Sequence, residues 1–333
     1  MQVPSPRGPL TCRLVDELVR APHDLSPGPV PHETCALTDE DLQLALYVCY
    51  ELHYGGFDEV DDRWEWNPSL LALRARLEER HAADLAAAVP EAPRVAAEDI
   101  AQALAELIAS QEEGAAMAIF LHRAADPGQF REFLIHRSLY HLKEADPHTW
   151  AIPRLRGPAK AALVEIQADE YGGGRPHRMH SELFRATMRA MGLDDSYGAY
   201  ADRVPAITLA IGNTMSMFGL HRRHRGALLG HLAALEMTSS LPNHRYSQGL
   251  RRLRAGAAAR RFFDEHVQAD AVHEQIAAND MCGAFVAEHP GLAGDVLYGA
   301  ACAVTLDRLF GEHVMRHWCA GRTSLRDHAT AHP

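Results

Sequence analysis

Three side chains with spacing suited to metal chemistry lie in one segment, Phe263-Asp264-Glu265-His266-Val267-Gln268-Ala269-Asp270-Ala271-Val272-His273. His266, Asp270 and His273 stand at i, i+4 and i+7, which at about 100° per residue share a narrow arc of one helix face. Val267, Ala269, Ala271 and Val272 make much of the rest apolar, so the segment reads as a buried helix. Two imidazoles and a carboxylate on a buried face are costly unless they are paired or bound to a metal. Two His and one carboxylate are also a donor set suited to non-haem Fe(II). The competing reading is an ordinary helix whose polar side faces water.

Two further segments supply donors. Glu236 stands in an otherwise apolar run, Leu229-Gly230-His231-Leu232-Ala233-Ala234-Leu235-Glu236-Met237. Glu165-Ile166-Gln167-Ala168-Asp169-Glu170-Tyr171 runs into Gly172-Gly173-Gly174, with His180 beyond. Each glycine costs a helix about 1 kcal/mol relative to alanine. The triplet therefore predicts an unwound stretch between Glu170 and His180, with Glu165 and Asp169 close enough to compete with Glu170 as donor. Arg225 precedes Glu236 by eleven residues, almost three turns and about 16 Å along the same face. Arg222, fourteen residues back, falls near that face too. An inward Arg225 or Arg222 would clamp a substrate carboxylate through two hydrogen bonds; the alternative is an exposed basic cluster with Arg223 and His224. Tyr171 reads as a packing aromatic beside a donor, and His231, on a different face from Glu236, as a surface or supporting group.

The elements that must position these groups are helices. Thr38-Asp39-Glu40-Asp41 opens one that runs through Leu52 to Gly55-Gly56, with the Asp/Glu run suited to an N-terminus. Further helices are expected over 69–88, 96–125 (interrupted near Gly114), 129–144, 159–169, 180–191, 204–239, 247–283 and 291–317. Trp64 and Trp66 read as core or interface residues between them. Alternating strand patterns are scarce, so the fold class is all-α, a bundle with short connections. Three regions follow: a flexible proline-rich arm over 1–33, an N-terminal helical region over 34–125 serving dimerisation or capping, and a metal-bearing bundle over 126–333.

Composition narrows the function classes. The 333 residues, 47% hydrophobic, suffice for one large core with an extension or for two domains. Thirty-three Lys and Arg against 44 Asp and Glu give a net charge of −11, which argues against nucleic acid or an anionic membrane as the main partner. No stretch approaches the ~20 apolar residues of a spanning helix. The start of the sequence has no apolar secretory core, and the expected location is cytoplasmic. Six scattered cysteines without a CxxC pair read as core thiols.

Taken in order, Glu-Tyr-Gly-x-Gly with a His ten residues after the Glu, a Glu on the next long helix, and His-x3-Asp-x2-His resemble a known family. Over about Gln129 to His317 the chain is similar to the haem-oxygenase-like di-iron oxidases, also called iron-containing redox enzymes. The resemblance implies a haem-oxygenase-like helical bundle and metal ligands at Glu170, His180, Glu236, His266, Asp270 and His273. It implies two Fe(II) ions without haem and O2 as co-substrate, and leaves room for an external electron donor. Weak iron binding coupled to the ordering of 170–180 is expected as well. Such enzymes oxidise small amine- or carboxylate-bearing metabolites. N-oxygenation of an amino-acid-like amine is the first expectation here, with oxidative C–C cleavage or desaturation of an amino or fatty acid as alternatives. The expected partners are a small-molecule substrate and a second copy of the chain. A non-catalytic helical binding or assembly protein is the reading from another class.

Overall fold

The described residues fold into helices joined by mostly short connections. The computed structural model describes all residues except 27, 29, 31–33, 111–115 and 328–333 and the side chains of 268–271; no strand occurs among the described residues. An N-terminal layer is formed by α1 (Pro9–Leu18), α2 (Glu40–Glu51) and α3 (Pro68–Ala88). The bundle that follows contains α4 (Ile100–Ala109), α5 (Ala116–Arg123), α6 (Pro127–His141), α7 (Asp146–Thr149), α8 (Gly157–Glu170) and α9 (His180–Ala190). It is completed by α10 (Ala206–Leu220), α11 (Arg225–Arg252), α12 (Ala257–Gln275), α13 (Ala284–Glu288) and α14 (Ala293–Cys319). A π-helical stretch, Ile276–Gly283, joins α12 to α13.

The central element is α11, 28 residues and therefore about 42 Å long. It packs along α12, α14 and α5. Its crossing with α14 is close because glycines remove the side chains there. A Cβ on Gly230 would lie 1.8 Å from the Val296 carbonyl oxygen, and one on Gly299 would lie 1.9 Å from that of Ala227. Helix interiors disfavour glycine, so packing is what requires it at these positions.

The proline-rich start departs from expectation. Pro9 occupies the first turn of α1, where a missing N–H costs nothing, and Leu10, Leu14 and Leu18 are buried. The carboxylate of Asp41 on α2 caps this helix, accepting from the Leu10 and Thr11 amides at 2.8 Å each and from the Thr11 hydroxyl at 2.6 Å. Part of the expected arm is thus regular, packed structure. The N-terminal layer is also joined to α10 through buried polar groups. Gln43 lies 2.9 Å from His81, His81 reaches the Thr214 hydroxyl at 2.8 Å, and the Asn213 amide donates to the Gln43 side chain at 2.7 Å.

Helix boundaries also differ from the sequence reading: α6 ends at His141 rather than at 144, and the helix expected over 247–283 is divided between α11 and α12. The segment 204–239 is not one helix, because the chain turns at His221 and Arg222–His224 before α11 begins at Arg225. Pro242, in the break left between the helices expected over 204–239 and 247–283, lies inside α11. All six cysteines are free; Cys49, Cys282 and Cys302 are buried, and Cys12, Cys35 and Cys319 are exposed. Among the described residues no helix is long and apolar enough to cross a membrane.

Candidate metal centre

Two groups of buried donors meet at Glu170. Glu144, Glu170, His180 and His266 form one, and Glu170, Glu236 and His273 form the other; within each, one donor atom per residue lies within 4.8 Å of the rest. Helices α8, α9, α11 and α12 and the turn after α6 each contribute.

Local structure explains how the donors converge. Gly172, Gly173 and Gly174 all adopt positive φ, at 66°, 60° and 74°, a region glycine enters without steric penalty. Gly172 has a second constraint, since a Cβ there would sit 2.6 Å from the backbone of Arg178 and Met179. The folded-back loop sets the last residue of α8 against the first of α9, and His180 Nδ1 comes to 2.9 Å from Glu170 Oε2. On α12, His266 Nδ1 lies 2.8 Å from the Phe262 carbonyl, the geometry of a donated N–H. That fixes the ring and leaves Nε2, 3.6 Å from Glu144 Oε1, as the donor facing the centre. The rings of His180 and His266 are 4.4 Å apart, with Phe262 against His266 at 4.3 Å. His273 Nδ1 is 3.4 Å from Glu236 Oε2, and its other nitrogen is 3.1 Å from Asp169 Oδ2.

These residues suit a metal ion better than they suit one another. Glu144 Oε2, Glu170 Oε2, His180 Nδ1 and His273 Nδ1 are buried without a well-aligned hydrogen bond, although His180 Nδ1 faces Glu170 Oε2 at 2.9 Å and His273 Nδ1 faces Glu236 Oε2 at 3.4 Å. Buried polar atoms without a well-aligned hydrogen bond are rare inside proteins, and here four belong to the two donor groups. Charge gives the same answer. Burial opposes protonation of His180, yet the carboxylates of Glu170 and Glu144 outweigh it and raise its pKa above the ordinary value. Burial likewise opposes the charge on His273, and Glu236 and Asp169 nonetheless push it up to about 9. Burial disfavours ionised Glu144, but His141 and His266 hold its carboxyl well below the usual range. The carboxylates of the two groups therefore favour positive charge at His180 and His273.

Of the residues singled out in the sequence, Glu170, His180, Glu236, His266 and His273 come together. The side chain of Asp270 lies outside the described residues. Glu165 is exposed and outside both groups. Asp169 points outward and bonds His273, and of the three only Glu170 falls in the donor groups. The inward clamp expected of Arg225 and Arg222 is not formed. Because α11 starts only at Arg225, both lie at the helix entrance: Arg222 is exposed, and the Arg225 guanidinium sits over Phe285 at 5.9 Å and near the Arg222 carbonyl at 3.4 Å. His231 is fully buried, with its Nδ1 3.3 Å from His148 Nε2. Tyr171 donates to Asp146 at 2.7 Å and lies 3.0 Å from the Thr149 hydroxyl, tying the end of α8 to α7.

Glu144 is the donor that sequence reasoning missed. It sits in the turn between α6 and α7, and its Oε1 is 2.5 Å from His141 Nδ1. The available signal was the pair His141-x2-Glu144 at the end of an apolar helix.

Comparison with known proteins agrees with this geometry. The sequence profile of the family described as iron-containing redox enzyme matches residues 131–308, just over half of the chain. A nitrosourea synthase from Streptomyces achromogenes subsp. streptozoticus is 25% identical over 173 residues. That alignment covers 51% of this chain and 36% of the relative, so the chain spans about a third of the length of the curated relative it matches.

Proposed function

The chain belongs to the family of iron-containing redox enzymes, and from that premise we propose that it is a non-haem di-iron oxygenase or oxidase acting on a small amine- or carboxylate-bearing metabolite. One observation carries the reading: two buried donor groups share Glu170, an arrangement suited to two neighbouring metal ions. Carboxylates from separate helices with imidazoles are the usual inward-facing set of helical di-iron proteins. Bound Fe(II) would supply electrons and open coordination positions for the activation of O2.

The chain's own residues supply the rest. His266, held by the Phe262 carbonyl, presents one nitrogen, while Glu144 and Glu170 offer buried oxygens without a well-aligned hydrogen bond. Phe184 and Phe262, both fully buried and 4.9 Å apart ring to ring, keep water from the His180–His266 side. The name of the nitrosourea synthase points to nitrogen chemistry in that relative and supports N-oxygenation of an amino-acid-like amine as the first reaction to test. Oxidative C–C cleavage or desaturation at the same centre comes next.

Anaerobic titration with Fe(II), followed by mixing with O2 in the presence of amines and of amino and fatty acids, tests the proposal. Two ions per chain and substrate-dependent O2 consumption are expected, with an N-oxygenated product from an amine. Fewer than one ion per chain and no O2 consumption would favour a binding or assembly role instead.

A further inference from the structure

Glu144 has an unusual neighbour. Lys143 is one of two lysines in the chain, and lysines are almost never buried unless paired. Its side chain is only 9% exposed and its ammonium bonds Glu51, which is fully buried at the end of α2. Three tyrosine rings surround the same ammonium, at 4.1 Å for Tyr54, 5.6 Å for Tyr197 and 5.9 Å for Tyr47. Tyr197 also donates to Glu51 Oε1 at 2.7 Å, whereas Glu51 Oε2 makes no hydrogen bond. Each ring adds cation–π attraction.

Such a pair is a poor stabiliser of the fold. Desolvating two charges offsets most of their attraction, and well-packed apolar replacements are often neutral or better. What the pair does supply is position. Lys143 and Glu144 are consecutive in a four-residue turn, and they face opposite ways: Lys143 into α2 and the tyrosines, Glu144 toward His141, His180 and His266. A turn has no ladder of its own to fix its side chains, and this one is held by the Lys143 amide to the Tyr140 carbonyl and the Asp146 amide to the Lys143 carbonyl.

We infer that Glu51 of the N-terminal layer, acting through Lys143, is a positioning residue for the metal donor Glu144. The inference rests on the di-iron reading above and gives residues 34–125 a specific task in the centre: α2 fixes the turn from behind. Outer groups that orient a ligand typically change metal affinity by about 10–100-fold.

The test compares wild-type protein, Glu144→Ala, the apolar pair Glu51→Leu/Lys143→Met, and Lys143→Arg, each titrated anaerobically with Co(II) and melted without metal. Expected for the apolar pair is a metal-free Tm close to wild type together with about 10–100-fold weaker binding of one ion, the one weakened by Glu144→Ala. The other ion should bind unchanged, and Lys143→Arg, which keeps the charge opposite Glu51, should recover most of the loss. A merely structural pair would lower Tm and leave the affinity difference between the two ions untouched. If the apolar pair does not fold, Glu51→Gln is read in the same way and should weaken the same ion. Two ions in wild type and unchanged affinities in a folded variant overturn this inference alone. A wild type that takes up no metal overturns the di-iron reading and this inference with it.

Discussion

The two donor groups of the candidate metal centre are built differently. Around the half made by Glu144, Glu170, His180 and His266, the rings of Phe262, Phe184 and His141 pack against one another and against His266. The half made by Glu236, His273 and the shared Glu170 lies next to the outside. Its imidazole is bonded to Asp169, which is 64% exposed, and Val272 beside it is 59% exposed. The helix that carries His273 passes into a π-helical stretch three residues later, a distortion frequent at functional sites. A donor whose surroundings are packed is oriented before metal arrives, whereas one held by an exposed carboxylate exchanges its partner for water at little cost. The first half should therefore hold its ion more tightly than the second.

The most damaging change should be at the residue both halves use. Glu170→Ala is expected to abolish uptake of both ions, while Glu236→Ala removes only one; metal analysis after anaerobic loading separates the outcomes. Gly172→Ala should come next. It combines a positive φ with a backbone clash, so a loss of about 1–3 kcal/mol in stability is expected, read as a lower Tm, along with weaker metal uptake because Glu170 and His180 no longer meet. Retention of both Tm and metal stoichiometry would show that the loop does not set the donor geometry.

The pH dependence sharpens the comparison further. His273 is protonated below about 9 in the metal-free protein, and a metal must displace that proton. Affinity for the second ion should thus climb as pH rises toward 9 and then level off, by up to about ten-fold per pH unit. The sign for metal-free stability is opposite. A histidine with a raised pKa contributes its full stabilisation below its unfolded value near 6.5, and this is lost as pH rises through about 9. Co(II) titrations and thermal melts between pH 6.5 and 9 measure the two trends, and parallel trends would contradict the assignment. The smallest effect belongs to Asp169→Asn. With its partner exposed, the loss should be a few-fold in the second ion only, with the His273 pKa falling in a proton-detected titration.

Much of this site was legible in the residues. Helical spacing put His266 and His273 on one face, the glycine triplet announced a turn that brings Glu170 to His180, and the apolar run around Glu236 marked it as inward. Glu144 escaped because it stands as the last residue of the helix expected over 129–144, where the chain in fact turns after His141. A carboxylate beside a lysine at a helix end looks like solvated surface. The arginines misled for a related reason. Apolar spacing continues from α10 into α11 without a break in pattern, so a residue count across His221 assumed one straight rod where the chain bends. The start of the chain hid α1 because proline density suggests irregular structure, although a proline in a first turn is compatible with a helix. Only tertiary packing reveals which prolines begin elements and which end them.

The glycine crossing of α11 with α14 sets a limit on how the molecule can respond to its ions. Main chain rests on main chain at Gly230 and Gly299, leaving no rotamers to absorb a slide or a roll, so Glu236, six residues further along, is a fixed reference point. Any shift in ligand spacing between empty and loaded states must be taken up by the ends of α8 and α9 and by α12, and spectroscopic labels placed there should move while labels on α11 stay still.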